Sequence, residues 1–259
     1  MTDATDPDTS DERVVRVLRP FVRATRPVLD ALREADPFGL RARVPGSADQ
    51  AERDLKDRVL DWATTVKVPG TPAWAAMDVR ARSDWWANRV GRFTALLAAV
   101  PGIGGVLARR LPVSDVLGLA GQGLLVAALA GEHGVRDEDA QVRLLAGVLF
   151  GREVPPAAAR ATGEESAAAD AEAAELTAEL AVSDREHGRI TLPALARTLW
   201  RLGGGLWELW RELDRRPHGS RWQRALGNLP VVGVLGNYLG ERSATKRVVK
   251  ETERRLAAL

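Results

Sequence analysis

Asp115 is the residue best placed to do chemistry, because it is the one acid in the apolar centre of a glycine-rich stretch. A buried carboxylate there, paired with an arginine, would form the site of a soluble helical enzyme or a charge switch. Ser114 and Asp115 also suit a helix N-terminus, where short polar side chains cap the first turn and a carboxylate complements the helix dipole. The pattern favours the cap and keeps the enzyme as an alternative.

The rest of the sequence lacks the spacing of a catalytic or metal site. The chain has no cysteine, which excludes disulfides, thiolate ligands and a cysteine nucleophile. The sequence contains no HExxH, P-loop or GxSxG motif, and its three histidines have no histidine partner at i+4. They are His133, His187 and His218. We therefore predict no catalytic, cofactor-binding or metal-binding residue and a non-enzymatic function.

A row of arginines near the N-terminus is one candidate surface. On a helical wheel of residues 13–33, one half is apolar, and the other half carries six arginines against one acid, Asp30. The arginines are Arg13, Arg16, Arg19, Arg23, Arg26 and Arg33. This face suits contact with anionic lipid or with an acidic partner. The alternative is the solvated face of a core helix.

The net charge of the whole chain is only +2, which argues against nucleic-acid binding.

Three tryptophans form a second candidate surface. Trp200, Trp207 and Trp210 lie along one edge of a leucine stripe in their predicted helix. Indoles at the border of an apolar face suit a membrane interface and the rim of a protein core equally well.

The elements that position these residues are predicted to be helices, because apolar residues recur at helical spacing and no convincing run alternates as a strand does. Three stretches, 93–108, 116–131 and 225–240, are sixteen residues long and carry no charge. Such a helix spans about 24 Å, less than the roughly 30 Å of a bilayer core. We interpret them as core helices, with a shallow hairpin or a true span as alternatives. The fold class is all-α, a multi-helix bundle with glycine-rich, apolar central helices.

Helix boundaries follow from proline, glycine and capping residues. Pro20 and Pro27 are expected to kink or divide the first helix. The later starts are Ser47 with Gln50, Thr71-Pro72, Ser83 or Asp84, Pro112, Asp137 and Thr191 with Pro193. The helix after Pro112 is predicted to end at Gly131 to Gly134.

Composition divides the chain into three parts. Residues 1–12 are acidic and polar, lack the features of a signal peptide, and are predicted to be a disordered tail. Residues 13–259 form a single helical domain, with a low-complexity Ala/Glu insertion at about 157–183 that is expected to contact little of the core. The arginine-rich, lysine-poor composition is typical of a GC-rich bacterial genome, and the cytoplasm is the expected compartment.

Two blocks of the chain resemble the EcsC-like family. They are VPGIGGVLARRLPVSDVLGLAGQGLLVAALAGEHGVRDEDAQVRLLAGVLFG at 100–151 and LPVVGVLGNYLGERSATKRVVKE at 229–251. They share a Pro-Gly turn, a helix begun by an aspartate, and a later Pro-Val-x-Gly helix, although His133-Gly134 stands where Tyr-Gly is usual. The glycines of these blocks are structural candidates because they allow close helix packing. They are Gly102, Gly104, Gly105, Gly236 and Gly240.

The resemblance implies a role rather than a reaction. The family takes its name from a protein encoded beside an ABC transporter linked to secretion, and no catalytic residue carries over. We expect an accessory or regulatory protein, without a cofactor, at the inner face of the plasma membrane. Its expected partner is an anionic membrane surface or a membrane protein. A soluble enzyme built around Asp115 and a helical protein-binding scaffold are the alternatives.

Overall fold

The computed structural model describes residues 7–34, 72–98, 113–188, 190–215 and 238–258. These ranges contain nine helices and no strand, so the predicted all-α bundle is confirmed. The helices are α1 (Pro7–Glu34), α2 (Pro72–Ala75), α3 (Val79–Ala98), α4 (Val113–Glu132), α5 (Glu138–Phe150), α6 (Pro156–Ala159), α7 (Gly163–His187), α8 (Leu192–Arg215) and α9 (Tyr238–Leu256).

Helix α4 is the centre of the bundle. It packs against α3 and α8 along most of its length, and α1, α5 and α9 complete its surroundings. Nearly all its side chains from Val116 to Ala130 are buried, because the helix is apolar on every side. Gly203 of α8 lies against the backbone of Val116, so the absence of a side chain lets the two helices approach closely.

Capping explains where several helices begin and end. Asp137 accepts a hydrogen bond from the backbone amide of Ala140 and begins α5, as predicted. Gly151 ends α5 in the left-handed conformation. Helix α4 ends near Gly134, which has φ +79°. Asp78 accepts from the amide of Ala81 and begins α3 at Val79, so the predicted start at Ser83 or Asp84 is wrong.

The first helix includes part of the acidic N-terminal segment. It begins at Pro7, and Asp11 forms an ion pair with Arg152 of the α5–α6 connection, so residues 7–12 are helical. Pro is favourable in the first helical turn, where its missing amide has no partner to lose. The helix also continues through Pro20 and Pro27 without dividing, since its apolar face is buried along its length.

One described helix, α4, is long and apolar enough to cross a membrane by length and composition. The window Asp115–Glu132 has a mean hydropathy of 1.2, and 72% of it is buried inside the protein. The core helix of a soluble protein has the same properties, and the burial of α4 agrees with the interpretation of 116–131 as core. The other two charge-free stretches lie largely outside the described residues.

Candidate functional site

The centre of the predicted arginine face is a buried ionic cluster. The guanidinium of Arg23 holds Glu138 of α5 through two bonds, from Nε to Oε2 at 2.7 Å and from Nη2 to Oε1 at 2.9 Å. Arg19 reaches the same carboxylate and Asp139, and also donates to the carbonyl of Ala159 in α6. Because the Arg19 side chain is only 6% exposed, its charge depends on these acceptors.

Helix α7 completes the cluster. Arg23 donates to the carbonyl and the hydroxyl oxygen of Ser166 and forms an ion pair with Asp170 at 2.8 Å. Burial raises the pKa of Glu138, but the hydrogen bonds from Arg23 and Arg19 outweigh burial, so its pKa lies below the ordinary value of 4.5. Glu138 is therefore charged at neutral pH and holds the two arginines together.

These contacts correct the prediction for the arginine face. Arg19 and Arg23 do not belong to an exposed surface, because α5, α6 and α7 cover them. Arg13 remains half-exposed and pairs with Glu212 of α8, while Arg16 and Arg26 are exposed on either side of the covered pair. A helical wheel cannot show that a charged half will also be packed, since it contains no information about neighbouring helices.

The insertion at 157–183 is likewise more embedded than predicted. Helix α7 packs along α1 and α8, and small side chains form its inner side, so close contact needs no large apolar residue. The buried residues are Ala169, Ala173, Leu180 and Ser183.

An open cleft of about 800 Å³ lies at the end of the bundle where α4 finishes. The second half of α1 forms one wall, Trp74 and Arg82 form another, and the α4–α5 turn forms a third. Leu29 and Ala127 contribute apolar surface. The cleft therefore combines an apolar floor with charged edges, as ligand and partner sites commonly do.

Glu132 has the most buried charged side chain among those that line this cleft. Its side chain is 10% exposed, accepts a hydrogen bond from the indole of Trp86 at 3.0 Å, and pairs with Arg82 at 3.5 Å. It sits in the last turn of α4, where the helix dipole disfavours an acid. An acid that lies where the helix dipole disfavours it, and that neighbouring side chains hold by hydrogen bonds, is typical of a functional region.

Two cations at the cleft form no ion pair with a described acid, although the carboxylate of Asp30 also lines the cleft. Arg26 comes from α1 and Arg136 from the α4–α5 turn, and both are exposed. Arg82, in contrast, is occupied by Glu132 and by the carbonyls of Ala75 and Met77. Arg26 and Arg136 are therefore the groups at this cleft with free donors for an anion.

Asp115 is the third residue of α4, so it lies inside the first turn, where a carboxylate complements the helix dipole, and does not precede the helix as an N-cap residue does. It is half-buried, and burial raises the pKa of its carboxyl. No ion pair joins it to another described residue. Seventeen residues of helix separate it from Glu132, which places it about 25 Å from the cleft. The side chain of Ser114 lies outside the described residues.

The three tryptophans of the second candidate surface lie mainly in the protein core. Trp200 and Trp207 are buried, and Trp210 is partly buried, with its ring stacked on that of Trp207 at 5.0 Å between centroids. The part of the chain that the structure describes thus supports the core alternative.

Of the candidate glycines, Gly240 lies in α9, and Gly102, Gly104, Gly105 and Gly236 are outside the described residues.

Sequence reasoning did not find Glu132, Glu138 or Arg136, because each is an ordinary surface residue by type. The acid at the end of an apolar helix was the one available signal for Glu132.

Within the described ranges, no group of three His, Asp or Glu side chains is arranged to hold a metal ion. Comparisons with protein-family models, with curated proteins and with solved structures find no match.

Proposed function

We propose that this protein is a non-enzymatic accessory or regulatory protein of EcsC type, which binds an acidic segment of a membrane-protein partner at the cytoplasmic face of the membrane. The observation that carries the proposal is the pair of free arginines, Arg26 and Arg136, at the edge of the cleft. Two guanidinium groups beside an apolar floor complement a segment that carries acidic and apolar side chains.

The shape of the cleft favours a protein segment over a flat bilayer. A concave surface surrounds a chain on several sides, whereas a bilayer touches only the edges of a concavity. The covered arginines support the same choice, because Arg19 and Arg23 are committed to Glu138 in the folded protein. The EcsC-like blocks support the partner class, since the family is associated with a transporter.

The enzyme alternative has less support. Asp115 lies at the opposite end of α4 from the cleft, so the charged groups around the cleft cannot assist a reaction at its carboxyl. A scaffold that binds only soluble proteins would use the same cleft, and the experiment separates it by whether membrane fractions retain the protein.

The test measures binding of a fluorescent peptide rich in Glu and Leu, by anisotropy at low and at moderate salt. The double variant Arg26→Glu/Arg136→Glu should weaken binding about fivefold or more, since two charge pairs near a surface contribute of order 1 kcal/mol together. Arg211→Glu on α8 is the matched control, because Arg211 is exposed and does not line the cleft. Equal binding by the double variant and the control would refute the role of the cleft.

The same variants then distinguish the partners. Membrane fractions should retain the wild type and the control but lose the cleft variant. Retention that disappears on protease treatment of the membranes identifies a membrane protein, and retention that survives it identifies lipid and overturns the proposal.

A further inference from the structure

We propose that a pocket between α5 and α9 is a second ligand site, which binds a phosphate monoester group through three converging arginines. The pocket has a volume of about 320 Å³, and Arg143, Arg254 and Arg255 line it together with one described acid, Glu153. It shares no lining residue with the cleft at the end of α4. The inference therefore goes beyond the proposed function and rests on different residues.

The side chain of Arg255 is held against the surface of α5. Its Nε donates to Oε1 of Glu251 at 2.7 Å, and its Nη1 donates to Oε1 of Glu153 at 2.6 Å. The guanidinium lies over Gly147, where a Cβ atom would overlap it. Because α5 has no side chain at this point, the guanidinium of Arg255 can lie in the wall of the pocket, with only 20% of its side chain exposed.

Glu251 aligns Arg254 beside Arg255. Its Oε1 also accepts from Nη2 of Arg254 at 2.6 Å, so one carboxylate oxygen binds both guanidinium groups. Burial raises the pKa of Glu251, but the hydrogen bonds from Arg254 and Arg255 outweigh burial, and its pKa lies below the ordinary value of 4.5. Glu251 is therefore charged at neutral pH and fixes the spacing of the two arginines. The remaining nitrogens of Arg254 form no hydrogen bond to another described residue.

Arg143 completes the set from α5. Its Nε donates to the carbonyl of Val154 at 3.0 Å, which orients the guanidinium, and its two terminal nitrogens form no hydrogen bond to another described residue. Arg254 and Arg255 lie in the last turn of α9, where cations complement the helix dipole. Arg143 lies in the middle of α5, so no helix terminus accounts for it. Its terminal nitrogens are donors for an anion in the pocket.

The number of arginines favours a phosphate monoester over a carboxylate. One guanidinium satisfies the two oxygens of a carboxylate, whereas a phosphate monoester has three terminal oxygens and a charge of about −1.5 to −2 near neutral pH. The side chain of Glu153 is 80% exposed, so its carboxylate is a weak competitor for Arg255. Lys246 and Lys250 are exposed on α9 at intervals of four residues before Arg254, and they extend the positive field toward the pocket.

The first test measures binding of ethyl phosphate to the whole protein by calorimetry at constant ionic strength. Arg143→Gln should weaken binding about tenfold, because it removes charge-assisted hydrogen bonds to the phosphate. Arg211→Gln is the matched control, since Arg211 is exposed on α8 and does not line the pocket. Glu153→Gln should tighten binding about threefold, because it removes the competing carboxylate.

Gly147→Ala tests the placement of Arg255 without removing a charge. A methyl group there displaces the guanidinium, which is the far end of a flexible side chain. We expect binding of ethyl phosphate to fall about fivefold. The helical circular dichroism spectrum should stay the same, which separates this effect from a loss of the fold.

Vesicles identify the source of the phosphate. Phosphatidic acid in phosphatidylcholine vesicles presents a phosphate monoester, whereas phosphatidylserine at matched surface charge presents a diester. Binding that depends on Arg143 and is confined to phosphatidic acid vesicles identifies a lipid headgroup, and such binding confined to ethyl phosphate identifies a soluble compound. Binding in both arms supports a site that accepts either source.

Three results overturn the proposal. They are equal binding by Arg143→Gln and Arg211→Gln in both arms, no binding by the wild type in either arm, and equal binding of the wild type to the two kinds of anionic vesicle without binding of ethyl phosphate. The peptide assay on the other cleft uses variants of Arg26 and Arg136, so either proposal can fail alone.

Discussion

Helices α4 and α7 have similar lengths, 20 and 25 residues, and opposite relations to the rest of the molecule. Helix α4 is surrounded by α3, α5, α8 and α9 and is buried on nearly every side. Helix α7 lies on the outside and exposes most of its side chains. The first is held by shape and apolar area, and the second by small residues and charge pairs.

This difference predicts how each helix responds to change. Packing around α4 tolerates little added volume, because protein interiors are as dense as organic crystals. The contacts of α7 tolerate volume but depend on the charge of a few groups, above all Asp170, which pairs with Arg23 of α1. Glu138 of α5 holds the same arginine from beneath. Four measurements test the comparison.

Glu138→Ala should have the largest effect. It leaves Arg19 buried with only Asp139 and a carbonyl as partners, and we expect a loss of about 2–4 kcal/mol in the free energy of unfolding. Chemical denaturation measures the loss. Glu179→Ala, which removes the exposed pairs with Arg197 and Arg201, should change stability by about 1 kcal/mol or less. Similar losses in both variants would show that the buried cluster of Glu138 stabilises the protein no more than the exposed pairs of Glu179 do.

Gly203→Ala should come next. A methyl group there meets the backbone of Val116, which cannot rotate away, so we expect a loss of about 1–3 kcal/mol. Gly204→Ala is the control, because a methyl group at that position meets nothing within 4 Å. Its higher helix propensity should leave α8 as stable or slightly more stable. Thermal melts compare the two, and an unchanged melt of Gly203→Ala would mean that α4 and α8 can separate freely.

Lowering the pH should first weaken the ionic cluster that Glu138 forms with Arg19 and Arg23. Since the pKa of Glu138 is lower in the folded than in the unfolded protein, its contribution is complete above the ordinary value of 4.5 and is lost as the pH falls through the folded value. We expect this part of the acid-dependent loss to be absent in Glu138→Gln when unfolding is measured across the acid range. An identical acid response in wild type and variant contradicts the assignment.

Asp115→Asn should have the smallest effect. Because burial raises the pKa of Asp115, its charged form opposes folding, and this cost appears as the pH rises through the folded value. Asparagine keeps the polar group in the first turn without the charge, so the stability at neutral pH should change by less than about 0.5 kcal/mol. Asp115→Ala should cost about 0.5–1 kcal/mol. A large loss in the asparagine variant would indicate that the charge itself is required.

Helix existence and several boundaries could be predicted because they are local. Asp137 caps α5 and α4 ends near Gly134, each for a reason visible within a few residues. Pro20 shows where local reasoning fails. Proline disfavours a helix interior, yet burial of the apolar face of α1 on both sides of it keeps the helix continuous.

The sequence by itself determined the all-α class, the apolar half of α1 and the apolar character of α4, because the spacing of side chains along a helix decides these properties. Only the tertiary structure decided the environment of each charge. Arg19, Arg23 and Arg26 share one half of the wheel, but α5 and α7 cover the first two, and Arg26 faces the cleft. The reason is physical: an ion pair depends on the distance to a partner, and Glu138 lies more than one hundred residues away along the chain.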